Sequence, residues 1–128
     1  MNDSPDHSRQ RVAILGASDD PDRYAHRAFA MLRDAGHTPV PIHPRLAEVG
    51  GVPVFPSLAA AGPPIDTLTL YVNGAVSISL ADEIVAARPG RVIFNPGAES
   101  PALAARLDEA GIPWEEACTL VLLGTGQF

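Results

Sequence analysis

Four short clusters hold the residues of this chain whose types and spacing could do chemistry: Gly16-Ala17-Ser18, His43-Pro44-Arg45, Asn73-Gly74 and Asn95-Pro96-Gly97. The first follows an apolar run and precedes a stretch with helical periodicity. A glycine there lets the backbone turn sharply and come close to a ligand. The helix behind it directs unpaired N–H groups and the positive end of its dipole at the same point, which suits a phosphate. The Ser18 hydroxyl adds a donor, so the spacing predicts a phosphate cradle. Asp19, Asp20 and Asp22 oppose an anion, and Asp20, followed by Pro21, is expected to cap the helix and occupy some of those amides.

The other clusters narrow the ligand. A NAD site places an acid at the end of the second strand, about 20 residues past the glycines, to hold the ribose hydroxyls. Here that position reads His43-Pro44-Arg45, the next acid is Glu48, and Ser18 stands where a second glycine belongs. These positions favour a ligand with an extra ribose phosphate, coenzyme A or NADP, over NAD. Asn73 and Asn95 to Gly97 offer side-chain amides and turn amides along the same edge. Arg23, Arg27 and Arg45 fall near that edge, whereas Arg11, Arg33 and Arg91 belong to the opposite one.

Some chemistries lack their residues. The nine basic residues are all arginine, so phosphate-loop ATPases, Schiff-base enzymes and Tyr-x-x-x-Lys dehydrogenases have no lysine to work with. Cys118, beside Glu115 and Glu116 and with no base near it in sequence, reads as a half-buried structural cysteine. Tyr24 and Tyr71 have no partner at a catalytic spacing. No group of residues shows metal-ligand spacing, and neither a catalytic residue nor a metal site is expected.

These clusters need elements to hold them. At 128 residues with a net charge of −6, the chain has the length of one domain and no basic face for nucleic acid. It shows no apolar run long enough for a membrane span and no signal-peptide core, and one cysteine fits a reducing compartment. A cytoplasmic protein is expected, with residues 1–10 a flexible polar N-terminus and residues 11–128 the domain. Strand and helix patterns alternate, as in a parallel sheet with crossover helices. Strands are expected over 11–15, 38–42, 66–72, 91–94 and 112–114. Helices are expected from Asp20-Pro21 to Gly36, over 77–87, and from Ser100-Pro101 to Ala110. Pro39 and Pro41 put the second strand at an edge. Residues 43–64 form a connection with a short strand at 52–55 and a helical turn at 57–61. The segment 117–123 is ambiguous between helix and strand. The expectation is a three-layer α/β domain with a mainly parallel five-stranded sheet, its clusters at the carboxyl ends of the strands, where such sheets bind ligands.

The motifs V-A-I-L-G-A-S-D-D-P-D-R-Y (Val12 to Tyr24), Pro41-Ile42-His43-Pro44 and Ile93-Phe94-Asn95-Pro96-Gly97 resemble the CoA-binding domain family. Its members are stand-alone domains similar to the N-terminal domain of the succinyl-CoA synthetase α subunit. The resemblance runs from about residue 11 to the C-terminus and implies a Rossmann-like fold that binds CoA along the strand ends. It places Gly16, Ala17 and Ser18 against phosphate, Arg23 and Tyr24 at the following helix start, and His43 and Pro44 at the adenosine end. Asn73 and Asn95 to Gly97 would line the rest. His43 departs from the asparagine frequent in the family. The synthetases keep their phosphorylated histidine in a second domain, so this chain is expected to bind CoA or an acyl-CoA without catalysing its formation. Two rivals stay open: a minimal NADP-linked oxidoreductase, and a regulatory or interaction subunit with a degenerate site. The expected partner is a small nucleotide-type molecule, not nucleic acid or membrane; homo-oligomer and partner subunit are both left open.

Overall fold

A computed structural model describes residues 9–128. Most of the expected flexible N-terminus, residues 1–8, lies outside the described residues, while Gln10 is held by His37 and Thr67. Five parallel strands form the sheet in the order β2-β1-β5-β6-β7: Arg11–Leu15 (β1), Thr38–Ile42 (β2), Thr67–Leu70 (β5), Arg91–Phe94 (β6) and Trp114–Glu116 (β7). Between β2 and β5 lie a two-stranded antiparallel pair, Glu48–Val49 (β3) and Val52–Pro53 (β4), and a four-residue helix, Leu58–Ala61 (α2). Phe55 makes a parallel bridge to Ile42, donating its amide to the Pro41 carbonyl and accepting from the His43 amide. A third strand is thus reduced to a single residue beside β2. With Phe55 counted, the order is that of the Rossmann-like fold, whose switch point lies between β1 and β5.

The two prolines of β2 have a physical reason. Thr38 donates its amide to Gln10 on the β1 side, and the Pro41 carbonyl faces outward to Phe55. By alternation the amide positions of residues 39 and 41 face the open edge. Proline there leaves no N–H unpaired and discourages another strand from docking.

The strands are buried on both faces. Ala13, Leu15, Val40, Ile42, Leu68, Leu70, Val92 and Phe94 pack under α2 and the helices Ala81–Ala87 (α4) and Pro101–Ala110 (α5). Val12 and Ile14 pack on the other face against Tyr24–Asp34 (α1), with Leu123 of Thr119–Gly124 (α6) against the same cluster. Three layers result, and the five-stranded, mainly parallel Rossmann-like arrangement stands as expected.

Several boundaries differ from those the sequence suggests. Helix α1 begins at Tyr24 with Arg23 at its N-cap, so Asp20 caps nothing. Instead the Ser18 hydroxyl accepts from the Asp20 amide at 3.0 Å and the Asp20 carboxylate from the Asp22 amide at 2.9 Å. Short polar side chains favour such local turns over helix. The expected helix over 77–87 starts earlier, at Gly74, and is divided into Gly74–Ser79 (α3) and α4 at Leu80. Asn73 starts it, its side-chain oxygen accepting from the Val76 amide at 3.0 Å. The fifth strand is displaced to Trp114–Glu116, and the ambiguous segment resolves as helix α6. Helix α5 keeps the expected Ser100 cap, Pro101 start and Gly111 stop.

Candidate functional site

A cavity of about 940 Å3 opens over the carboxyl ends of β1, β2 and β5. Its floor is the β1–α1 turn. Gly16 has φ +93°, and a Cβ built on it would stand 2.9 Å from both the Tyr71 carbonyl and Val72 Cγ1. No larger residue could let the turn lie so close to the end of β5. The Gly16 and Ala17 amides both point down to the Ile42 carbonyl, at 3.2 and 3.1 Å, which anchors the turn to β2.

The next amides are differently placed. Those of Ser18 and Asp19, and those of Tyr24 and Ala25 in the first turn of α1, donate no hydrogen bond among the described residues. Since Asp20 does not cap the helix, its carboxylate occupies none of these amides. All four residues line the cavity. Unpaired amides at a helix start are suited to an anion.

His43 sits on the β2 side of the cavity. Its Nδ1 accepts from the amides of Arg45 at 3.0 Å and Leu46 at 3.2 Å, so the imidazole is locked into the turn. Those partners put the ring proton on Nε2. The cavity's charge is balanced unfavourably for an anion: Arg23 and His43 line it together with Asp19, Asp20 and Glu83. Arg23 is largely exposed and lies 4.0 Å from the Asp20 carboxylate, a pair of little energetic weight. Backbone amides must therefore dominate any phosphate contact.

The structure brings Gly16, Ala17, Ser18, Arg23, Tyr24, His43, Pro44, Asn73, Pro96 and Gly97 around this one cavity. It leaves Arg45 and Asn95 off its wall. Arg45 is exposed on the turn beyond His43. Asn95 is 2% exposed. Its side-chain nitrogen donates to Thr69 Oγ1 at 2.6 Å and the Leu70 carbonyl at 2.9 Å, and its oxygen accepts from the Thr119 amide at 2.9 Å. The amide that looked available in an Asn-Pro-Gly turn ties β5 and β6 to α6. Arg27 lies over the Tyr24 ring, 5.6 Å from its centroid, outside the lining. Arg11, Arg33 and Arg91 are held away from the site by carbonyls of Gly62, Gly50 and Phe128 respectively.

The sequence reading missed the far wall, made by Pro56, Ser57 and Leu58 at the start of α2, Val76 of α3, Leu80 at the α3–α4 joint, and Glu83 and Ile84 of α4. These residues carry no turn motif, and only the packing of α2 on α4 brings them together. Tyr71 also lines the cavity. Its hydroxyl is buried without a hydrogen-bond partner, beside the Thr69 and Thr119 hydroxyls, which bond each other at 2.8 Å. Burial pushes the Tyr71 hydroxyl up to about 12; Thr119 and Thr69 offset this only in part. Cys118 is half-buried just before α6 and carries a free thiol.

A parallel α/β sheet with a cleft at its switch point and open amides on the first turn defines a Rossmann-like domain, an architecture whose ligand crevice lies at the strand ends. The family described as "CoA binding domain" matches residues 10–124, and the chain belongs to it. The Bacillus subtilis (strain 168) protein YneT, itself uncharacterized, is 32% identical over 76 residues, 59% of this chain and 56% of that protein's length. A Thermus thermophilus protein, cell-free ID.343, is 30% identical with a TM-score of 0.87, each chain covered in full. A further crystal structure of an uncharacterized protein is 36% identical with a TM-score of 0.86, covering 94% of this chain and 98% of that one.

Proposed function

We propose that this chain binds coenzyme A or an acyl-CoA at the strand-end cavity, as a cytoplasmic module without catalysis of its own. The observation that carries the reading is the set of unpaired amides at Ser18, Asp19, Tyr24 and Ala25, opening into a 940 Å3 cavity in a chain of the CoA-binding family. The pyrophosphate lies on those amides, with the Ser18 hydroxyl and Arg23 beside it. Adenosine lies toward His43 and Pro44. The thiol arm runs past Asn73 toward Pro96 and Gly97. Arg45, on the exposed turn after β2, is within the part of the surface where a ribose phosphate would emerge. Asn95 serves by fixing the loop that carries Pro96 and Gly97.

The lack of catalysis is supported by the groups at hand. The Tyr71 hydroxyl is buried beside Thr69 and Thr119, and at about 12 its proton is held too tightly for acid–base work near neutral pH. This also weakens the oxidoreductase rival. Thermal-shift titration with CoA, acetyl-CoA and NADPH tests the assignment. CoA at 100 times its dissociation constant stabilises the fold by about 2.7 kcal/mol. A melting point unmoved by CoA and acetyl-CoA at millimolar concentration would refute the reading, and protection by NADPH alone would favour the rival.

A further inference from the structure

We propose that Glu83 selects the base of the bound nucleotide, its carboxylate accepting a hydrogen bond from the exocyclic amine of adenine. The inference rests on the CoA reading above and names the group that would make that site specific for adenine.

The cavity has two unlike directions from the β1–α1 turn. Past β5 and β6 it runs over the turn at Pro96 and Gly97, both exposed. Toward β2 it is lined by Ile42, Leu58, Leu80 and Ile84, among which the half-buried Leu80 offers the accessible apolar surface. A flat base gains from such apolar walls. A charged phosphate loses by them.

One carboxylate lines that side of the cavity, half-buried. Glu83, on α4, accepts from the Ala59 amide through Oε2 at 2.7 Å, bridging α4 to the first turn of α2. The Ser57 hydroxyl takes the neighbouring Ala60 amide at 3.1 Å. The Ala59, Ala60 and Ala61 amides of α2 are thus engaged, and the Glu83 charge repels any anion there. Phosphate is steered to the open amides of α1, and the base is left with the α2–α4 side. One Glu83 oxygen holds Ala59. The other, Oε1, makes no hydrogen bond among the described residues and is an acceptor without a hydrogen to give. Adenine presents an amine donor to such a group. Hypoxanthine presents a carbonyl oxygen in the same place, which the carboxylate would repel. A site built around a hydrogen bond discriminates strongly against the analogue that lacks its partner.

Calorimetric titration of the chain with CoA, and with the CoA analogue carrying hypoxanthine instead of adenine, tests this. The parent should bind CoA at least roughly tenfold more tightly than the analogue, as expected for a hydrogen bond to a charged group. In Glu83→Gln the side-chain oxygen keeps the Ala59 amide and the NH2 group faces the base. The preference should then reverse toward hypoxanthine. Equal affinity of the parent for both ligands, or an unchanged preference in Glu83→Gln, overturns the proposal while leaving CoA binding intact. Should Glu83→Gln fail to fold, Glu83→Asp withdraws the carboxylate by one methylene and must narrow the parent's ratio; an unchanged ratio overturns the proposal equally. Absence of any binding of CoA to the parent refutes the reading on which it rests, and the proposal with it.

Discussion

At Gly16 the backbone has φ +93°, and a Cβ there would press on the Tyr71 carbonyl and on Val72. At Gly97, φ is +91° but nothing stands within 4 Å of the same added atom. The pair separates two costs that glycine removes. Gly97→Ala should cost only the backbone term, about 1 kcal/mol, whereas Gly16→Ala adds a backbone clash and should cost about 3 kcal/mol. Urea unfolding midpoints of the two variants check the order, and equal losses would show that the turn can move away from β5. Asn95 makes the complementary case. Asn95→Ala leaves the Leu70 carbonyl and Thr119 amide without that partner and should destabilise by about 2 kcal/mol. Under the CoA reading its affinity for CoA should change by less than its stability does, because the side chain is turned into the core. Gly16 was legible in the sequence because a turn glycine announces itself locally. The role of Asn95 was not, since it depends on α6 returning across the sheet some 24 positions later.

Helix starts decide which amides face the cavity. At α3, Asn73 satisfies the Val76 amide, so its side chain is a cap as well as a part of the cavity wall. Asn73→Ala should lower stability by about 1 kcal/mol, read from the thermal midpoint, and Asn73→Asp should recover most of it. At α1 the opposite holds, because Ser18 and Asp20 close local turns and leave the helix start uncapped. Order and type of the principal elements were readable from apolar periodicity, and β2 was placed at an edge from its prolines. What escaped reading were the joints. The Asp20-Pro21 pair satisfies a helix-start pattern, yet a bond to a residue two positions on competes with it and wins. The division of α3 from α4 at Leu80 lies inside a continuous helical pattern with no glycine or proline to mark it. The α2–α4 wall of the cavity likewise depends on contacts between helices distant in the chain, which periodicity does not encode.

For the molecule as a whole, two groups on the α1 and α6 side of the sheet set how stability responds to pH. His37 accepts from the Gln10 amide through Nδ1 at 3.0 Å and packs beside Phe128, the rings tilted by 56° with centroids 5.1 Å apart. Burial, aided by the Arg91 charge, lowers its pKa from 6.5. The unfolded chain therefore takes up a proton on this histidine before the folded one does. Its contribution is fully present above pH 6.5 and is lost as the pH falls from there through the folded-state value. Tyr71 acts at the other end. Its folded value of about 12 against 10.0 means that the unfolded chain releases the proton first, so stability falls as the pH rises from 10 toward 12. The contributions of these two groups thus form a plateau between about pH 6.5 and 10, eroding on both sides. Urea midpoints measured across that range should show His37→Gln with a flatter acid limb and Tyr71→Phe with a flatter alkaline limb. Tyr71→Phe should also equal or exceed the parent at neutral pH, since it removes a buried hydroxyl that has no hydrogen bond to lose. A Tyr71→Phe variant less stable than the parent at pH 7, or an alkaline limb it leaves unchanged, would show that the hydroxyl is paired in solution and that another group governs the upper limit.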